Sequence, residues 1–381
     1  MPKNERKTGA PQTGRDKLNV GVVGCGNISD TYFKNCAKFK PLKVTACADV
    51  FMEKAREKAK AHGIPNVLTP DELVTSPDVD VVLNLTNPQA HAEICLRAIN
   101  AGKHVFVEKP FGIIREEGKR IIEAAKAKNV RVGSAPDTFL GGGLQTCRRL
   151  LDEGWIGKPV AAAGFMAIHG HEGWHPDPEF TYKRGAGPLF GMGPYYVTAL
   201  AALLGSVESV SASAKISVPE RVITSAPKYG QRIKVEVPTH VTGILQHSSG
   251  VTSTLIISYD VWASHLPRIE IYGTEGTLSV PDPNTFGGPV SVFRPEEKEW
   301  RQIPVIFKYT ENARGLGLTD MVCGILGNRP HRASGELAFH ALDIMQSFYD
   351  SSDSGEIRKL ESRCDRPEPL SSNLLEFDPI P

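Results

Sequence analysis

Net charge, paired cysteine and long apolar runs are all scarce in this sequence of 381 residues, and each scarcity excludes something. Lys and Arg number 44 against 43 Asp and Glu, a balance of +1 that gives no reason to expect nucleic acid as a partner. It leaves room for one anionic substituent on a small substrate. The cysteines (Cys25, Cys36, Cys47, Cys95, Cys147, Cys323 and Cys364) are odd in number and scattered, and no Cys-x-x-Cys occurs. That argues against a disulfide framework or a zinc ribbon, and a reducing, cytoplasmic setting is expected. No stretch is read as reaching the roughly 18–20 apolar residues that span a bilayer, so no membrane partner is expected. The N-terminus is polar and lacks the apolar core of a secretory signal; residues 1–16 are read as a disordered tail.

A chain of this length is expected to form two domains. Leu18–Val23 is a short apolar run closing on Gly24-Cys25-Gly26-Asn27-Ile28-Ser29, and Leu42–Ala48 is a second, ending at Asp49. Val79–Leu85, His104–Glu108 and Val130–Gly133 are further predicted strands, with helices predicted over Glu53–His62, Gln89–Asn100 and Arg115–Lys128. This alternation predicts a doubly wound parallel sheet, a Rossmann domain over residues 17–138. Beyond it the pattern changes. Strands are predicted at Val160–Ile168, Val207–Ser217, Ile233–His247, Val251–Tyr259 and Arg268–Gly273. Helices are predicted at Gly142–Glu153, Gly193–Leu204, Gly315–Leu326 and Gly335–Tyr349. Residues 139–362 therefore read as an α+β domain with a large, mainly antiparallel open sheet. Residues 363–381, rich in Pro, read as an extended tail.

In a doubly wound sheet the ligand lies beyond the carboxyl ends of the strands. Gly24 and Gly26 fit the first two glycines of a dinucleotide fingerprint: one for the tight turn, one for close approach of the backbone to a pyrophosphate seated on the next helix. Ser29 stands at the third position. Asp49 ends the second strand a little over 20 residues on, where a carboxylate accepts the ribose hydroxyls of NAD and repels a 2′-phosphate. Capping of the next helix is the plainer alternative. The other strand ends to watch are Thr86-Asn87-Pro88, Glu108-Lys109-Pro110 and Ala135-Pro136-Asp137.

Glu108-Lys109-Pro110, with Gly24-x-Gly26 and Asp49, resembles the Gfo/Idh/MocA oxidoreductases, in which a Glu-Lys-Pro motif carries the catalytic lysine. Thr86-Asn87-Pro88 with His91 resembles the family segment under the nicotinamide. Gly185–Tyr196 and Arg268–Leu278 resemble the family's second-domain motifs. The resemblance implies NAD as cofactor, bound through Gly24, Gly26, Asn27, Ile28, Asp49, Thr86, Asn87, Pro88, His91, Glu108 and Lys109. It also implies a carbohydrate or cyclitol substrate and a homodimer or homotetramer. One departure is plain: the family commonly has Asp, then His four residues later, and here those positions hold Gly191 and Tyr195.

Oxidising a carbinol requires removal of the hydroxyl proton as the hydride leaves. A lysine perturbed by burial and by a cationic nicotinamide suits that step, so Lys109 is the expected proton-transfer group. Tyr195 and His175 are the further catalytic candidates; a core aromatic on a helix is the plain alternative for Tyr195. The segment 168–178 places His169, His171 and His175 around Trp174, with Tyr182, Lys183 and Arg184 close behind. It reads as a polar wall for sugar hydroxyls, Trp174 stacking on a pyranose or on the nicotinamide, and Lys183 and Arg184 meeting an anionic substituent. A solvated charged loop is the bland alternative. No metal is expected, because nothing elsewhere completes a ligand set. Asp137 either binds a substrate hydroxyl or caps the helix near Gly142. The leading expectation is an NAD-dependent sugar or cyclitol dehydrogenase. An NAD-recycling glycoside hydrolase comes second and a non-enzymatic NAD sensor third.

Overall fold

The computed structural model describes residues 15–374 and 377–381. The tail expected over residues 1–16 lies outside the described residues except for its last two. Of these, Arg15 makes a two-pronged ion pair with Asp80 (3.0 and 2.6 Å).

The first domain is a six-stranded parallel sheet. Its strands are β1 (Leu18–Val23), β2 (Leu42–Ala48), β3 (Asn66–Leu68), β4 (Val81–Asn84), β5 (His104–Val107) and β6 (Val132–Ser134), in the spatial order 3-2-1-4-5-6. Helices α1 (Ser29–Cys36), α2 (Met52–His62), α3 (Pro70–Thr75), α4 (Pro88–Asn100) and α5 (Arg115–Lys128) connect them. The order reverses between β1 and β4, which opens the crevice at their carboxyl ends where a dinucleotide sits. Local chemistry sets the helix boundaries. Thr69 and Glu72 form a reciprocal capping box on α3, and Asn87 caps α4 ahead of Pro88. Asn129, in the left-handed region at φ 52°, ends α5. The pair β3–α3 is absent from the sequence reading; three residues are too short a run for alternation to register.

The second domain begins with α6 (Gly142–Asp152), β7 (Pro159–Ala167) and α7 (Gly187–Leu204). Then come β8 (Val207–Lys215), β9 (Glu220–Val222), β10 (Arg232–Lys234), β11 (His240–His247), β12 (Thr252–Ser258), β13 (Ile269–Gly273), β14 (Thr277–Val280), β15 (Val290–Phe293) and β16 (Trp300–Ile303). Helices α8 (Leu316–Leu326) and α9 (Gly335–Ser354) and strand β17 (Arg358–Lys359) close the chain. Nine strands make one open sheet in the order 16-15-14-13-7-12-11-8-17, antiparallel throughout except where β12 runs parallel to β7. The strand expected over residues 233–247 is two strands, β10 and β11, with Pro238 in the break; proline lacks the ladder donor.

The helix expected from Gly193 starts at Gly187, with Pro188 in its first turn and Pro194 inside it. It is 18 residues long and apolar enough to meet the lower limit for a membrane span, which corrects the sequence reading. Sixteen of those residues are buried, and it packs on α9, β11 and β12 as a core helix. Helices α8 and α9 return to the first domain: both pack on β6, and Gly133 bridges to Ser334. The C-terminal segment has little regular structure, and Leu370, Leu374 and Ile380 anchor it in the core.

Candidate functional site

The turn after β1 has the geometry a dinucleotide needs. Gly24 sits at φ +101°, and a Cβ there would lie 2.6 Å from the Leu85 backbone, so only glycine fits. A Cβ on Gly26 would meet nothing within 4 Å, which leaves open space over the start of α1 for a pyrophosphate. Asn27 and Ile28 lie in that turn, Asn27 exposed and Ile28 half-buried. Asp49 accepts the Cys25 amide (2.8 Å) and the Phe51 amide (2.9 Å). These two bonds orient the carboxylate, and a carboxylate's remaining lone pairs suffice for two ribose hydroxyls. Val50 and Phe51 are exposed beside it and form an apolar edge for an adenine. The donor set and the open cradle fit NAD.

At the ends of β4 and β5 the expected residues divide into framework and contact groups. The Asn87 side chain accepts the Ala90 amide (3.2 Å) as the α4 cap, so it serves the helix. Pro88 opens that helix. Thr86 donates to buried Asn84 (2.7 Å). His91 is buried, with Nδ1 2.7 Å from the Pro110 carbonyl and Nε2 2.9 Å from that of Thr86. It thereby ties the two strand-end loops together, and burial holds its pKa below the usual range. Glu108 accepts the Tyr32 hydroxyl (2.8 Å) and the Lys109 amide (2.9 Å).

Half-buried Lys109 crosses to the second domain. Its ammonium donates to the Gly191 carbonyl on α7 (2.9 Å) and lies 5.3 Å from the centre of the Tyr195 ring. The Tyr195 hydroxyl faces the Arg314 guanidinium (3.5 Å), which also bonds the Asn284 side chain (2.9 Å). Tyr195 thus offers its ring face to the lysine and its hydroxyl to an arginine. Gly191 brings a further neighbour: a Cβ there would lie 2.9 Å from the Tyr259 hydroxyl.

The histidine segment forms the outer wall. Burial, helped by the nearby charges of His175 and Lys109, pushes His171 down to about 4, so its imidazole is neutral at physiological pH. It packs edge-on against Tyr259 and tilted against Trp174, which is largely exposed. His169 stacks on Trp262 at 3.5 Å and meets Glu172 at 3.2 Å. His175 accepts the Asp177 amide (2.9 Å) and packs on Trp174 and Phe180. Beneath this wall lies a buried clamp. Glu172 bonds both the Tyr182 hydroxyl and Arg221, and Arg221 also pairs with Asp260. Burial opposes ionisation of Glu172, but its bonds to Tyr182 and Arg221 outweigh that and keep its pKa below the usual range.

Three expected substrate contacts are corrected. Tyr182 is buried with its hydroxyl committed to Glu172, so it is a strut of the clamp. Lys183 is exposed and paired with Glu236 (2.6 Å). Asp137 is 1% exposed and accepts the amides of Gly315 and Gly317 (2.9 Å each), so it caps α8 rather than α6. Arg184 remains at the cleft: its carbonyl accepts from Gln89 of α4 (3.2 Å), and its side chain makes no ion pair among the described residues. Sequence reasoning missed Tyr32, Tyr259 and Arg314. Tyr259 directly follows β12, but the strand-end rule was applied only to the parallel sheet. Among the described residues no cluster of three or more His, Cys, Asp or Glu could hold a metal ion.

Two family models match this chain: the oxidoreductase family with an NAD-binding Rossmann fold over residues 18–135, and the GFO/IDH/MocA C-terminal domain over residues 144–279. The chain belongs to the Gfo/Idh/MocA family. It is 26% identical to myo-inositol 2-dehydrogenase of Thermotoga maritima over 264 residues, 68% of this chain and 74% of that one. It is 31% identical to 1,5-anhydro-D-fructose reductase of Ensifer adhaerens over 150 residues, 39% of this chain and only 45% of that one. A levoglucosan dehydrogenase solved with NADH and L-sorbose superposes with a TM-score of 0.77 at 21% identity, covering 91% of this chain and 99% of the other. The protein is an NAD-dependent oxidoreductase whose first domain binds the dinucleotide.

Proposed function

We propose that the protein oxidises a secondary alcohol of a sugar or cyclitol, with Lys109 as the group that takes the hydroxyl proton. The observation that carries this reading is the place of the Lys109 ammonium: at the end of β5, 2.9 Å from the Gly191 carbonyl, between the dinucleotide crevice and the wall of aromatic and histidine side chains. NAD supplies the hydride acceptor when bound. Lys109 stands within reach of the carbinol oxygen of a polyol lying against α7; in its neutral amine form the Nζ lone pair takes the hydroxyl proton and becomes the ammonium as the hydride leaves the carbon for NAD. Arg184, whose side chain makes no ion pair among the described residues, suits a carboxylate or other anionic substituent. The test is NADH formation with myo-inositol, D-xylose, levoglucosan and their acidic counterparts. Stoichiometric NADH supports the reading. Tight NADH binding without turnover of any polyol would instead support an NAD-sensing module.

The neutral imidazole of His171 beside the phenol of Tyr259 favours a second reading. Transient oxidation of a glycoside, elimination of the aglycone, hydration and re-reduction needs an additional base and acid, and an imidazole packed edge-on against a phenol supplies side chains of those two kinds, although both shifts move them away from the operating pH. Release of nitrophenol from p-nitrophenyl glycosides with catalytic NAD and no net NADH would identify that activity.

A further inference from the structure

Position 191 has no side chain, yet the space beside it is filled. A Cβ on Gly191 would come within 2.9 Å of the Tyr259 hydroxyl, and the carbonyl of the same residue holds the Lys109 ammonium at 2.9 Å. The phenol therefore packs against the same residue of α7 that holds the Lys109 ammonium, with Tyr349 of α9 also near and only 2% of the residue exposed. Its placement is enforced from several directions. The Tyr259 amide donates to the Thr239 carbonyl (2.9 Å), and its own carbonyl accepts from buried Arg221 (3.2 Å). The rings of His171 and Tyr182 pack edge-on against it, at 4.8 and 6.3 Å. No hydrogen bond to its hydroxyl forms among the described residues.

We propose that Tyr259 is a substrate-binding residue of the hydride-transfer site, its phenol donating a hydrogen bond to a hydroxyl of the bound polyol in place of a side chain at position 191. The assignment rests on the polyol-dehydrogenase reading above. Burial raises the Tyr259 pKa well above the usual tyrosine range, so the phenol stays protonated and neutral. It differs from a carboxylate in two ways: it can donate, and it adds no negative charge beside Lys109. A site of this kind favours substrates that present an oxygen acceptor there, and it tolerates an acidic substituent that a carboxylate would repel.

The test measures NAD reduction by the wild type and by Tyr259→Phe on myo-inositol, D-xylose and levoglucosan, and on deoxy analogues of the best substrate, with NADH affinity measured in parallel. Tyr259→Phe keeps the ring and removes only the hydroxyl. The expected result is a fall of at least tenfold in kcat/KM with NADH affinity within twofold. One deoxy analogue should show no further loss in the variant, because the lost phenol and the lost sugar hydroxyl are partners. An active wild type whose variant keeps kcat/KM within twofold, or whose loss is the same for every analogue, overturns the assignment alone. A wild type that binds NADH and oxidises no polyol overturns the proposed function and this assignment together.

Discussion

Asp137→Asn separates two roles that one side chain plays at the domain crossing. The carboxylate caps α8 through the amides of Gly315 and Gly317, and it does so fully buried, near Glu108. Burial raises its pKa from an ordinary 3.8 to about 6, against the opposing pull of the two amides and Arg314. A folded pKa above the unfolded one means that the native state holds a proton which the unfolded chain has already lost. Stability from this group is therefore fully present below pH 3.8 and declines as pH rises through about 6. The interval of roughly two units corresponds to about 3 kcal/mol. For a chain of this size that is about 4 °C in Tm. Asparagine keeps an acceptor for the amides and has no proton to lose. Calorimetric unfolding of both proteins across this range cancels the contribution of every other carboxylate. The variant should gain on the wild type by about 4 °C as pH rises from 4 to 7, then run parallel to it. Parallel curves throughout, or a wild type that gains on the variant, would show that the amides and Arg314 dominate and would refute the reasoning.

Other substitutions test other parts of the structure. Lys109→Ala should abolish turnover while NADH affinity, read by fluorescence quenching, stays within a few-fold; activity near the wild-type level removes Lys109 from the chemistry. Asp49→Ala should weaken NAD about 10- to 100-fold, the loss of charged hydrogen bonds to the ribose, and narrow the preference over NADP, as titration of both cofactors will show. Arg221→Ala leaves Glu172 and Asp260 buried without their cation and should cost about 3–5 kcal/mol in denaturant unfolding. Ile244, Thr254 and Ala163 form one cross-strand row on the outer face of the nine-stranded sheet. If the expected homodimer or homotetramer assembles through this face, light scattering should give a multiple of the subunit mass for the wild type and a monomer for Ile244→Glu; a monomeric wild type or an unchanged mass for the variant refutes it.

The nucleotide half of the site was legible because its chemistry is local. A strand, a glycine turn and a helix follow one another in the chain, so Gly24, Asp49 and Lys109 fall at the ends of short apolar runs bounded by turn residues. The substrate half depends on long-range contacts. Tyr259 reaches Gly191 across 68 residues, and Arg314 reaches Tyr195 across 119. No periodicity encodes such pairs. The histidine segment shows the same limit: its density of functional groups was visible, but the sequence could not show that Tyr182 is spent on Glu172 or Lys183 on Glu236. Two boundaries fell at prolines: the helix read from Gly193 starts at Gly187, with Pro194 inside it, and Pro238 breaks what read as one strand.

Lys109 takes its position from both domains, and this explains why the last helices matter to a site they do not line. Its backbone is fixed from the first domain, where Glu108 accepts the Lys109 amide and is itself held by Tyr32 of α1. Its ammonium is fixed from the second, at Gly191 of α7. Those anchors stay in register only if α7 keeps its place over the parallel sheet. Helix α9 packs on both α5 and α7, and Arg115 at the start of α5 bonds buried Asp343 of α9 (2.6 Å). Helix α8 is capped from the first domain by Asp137, and Arg314, which precedes its Gly315 cap, reaches Tyr195 of α7. A shift of α8 or α9 would therefore move Gly191 and Tyr195 relative to the end of β5, and with them the seat of the Lys109 ammonium on α7. If Lys109 takes the hydroxyl proton as proposed, displacements of about 1 Å in such geometry cost orders of magnitude in rate, and the interdomain ties then serve the chemistry as much as the fold.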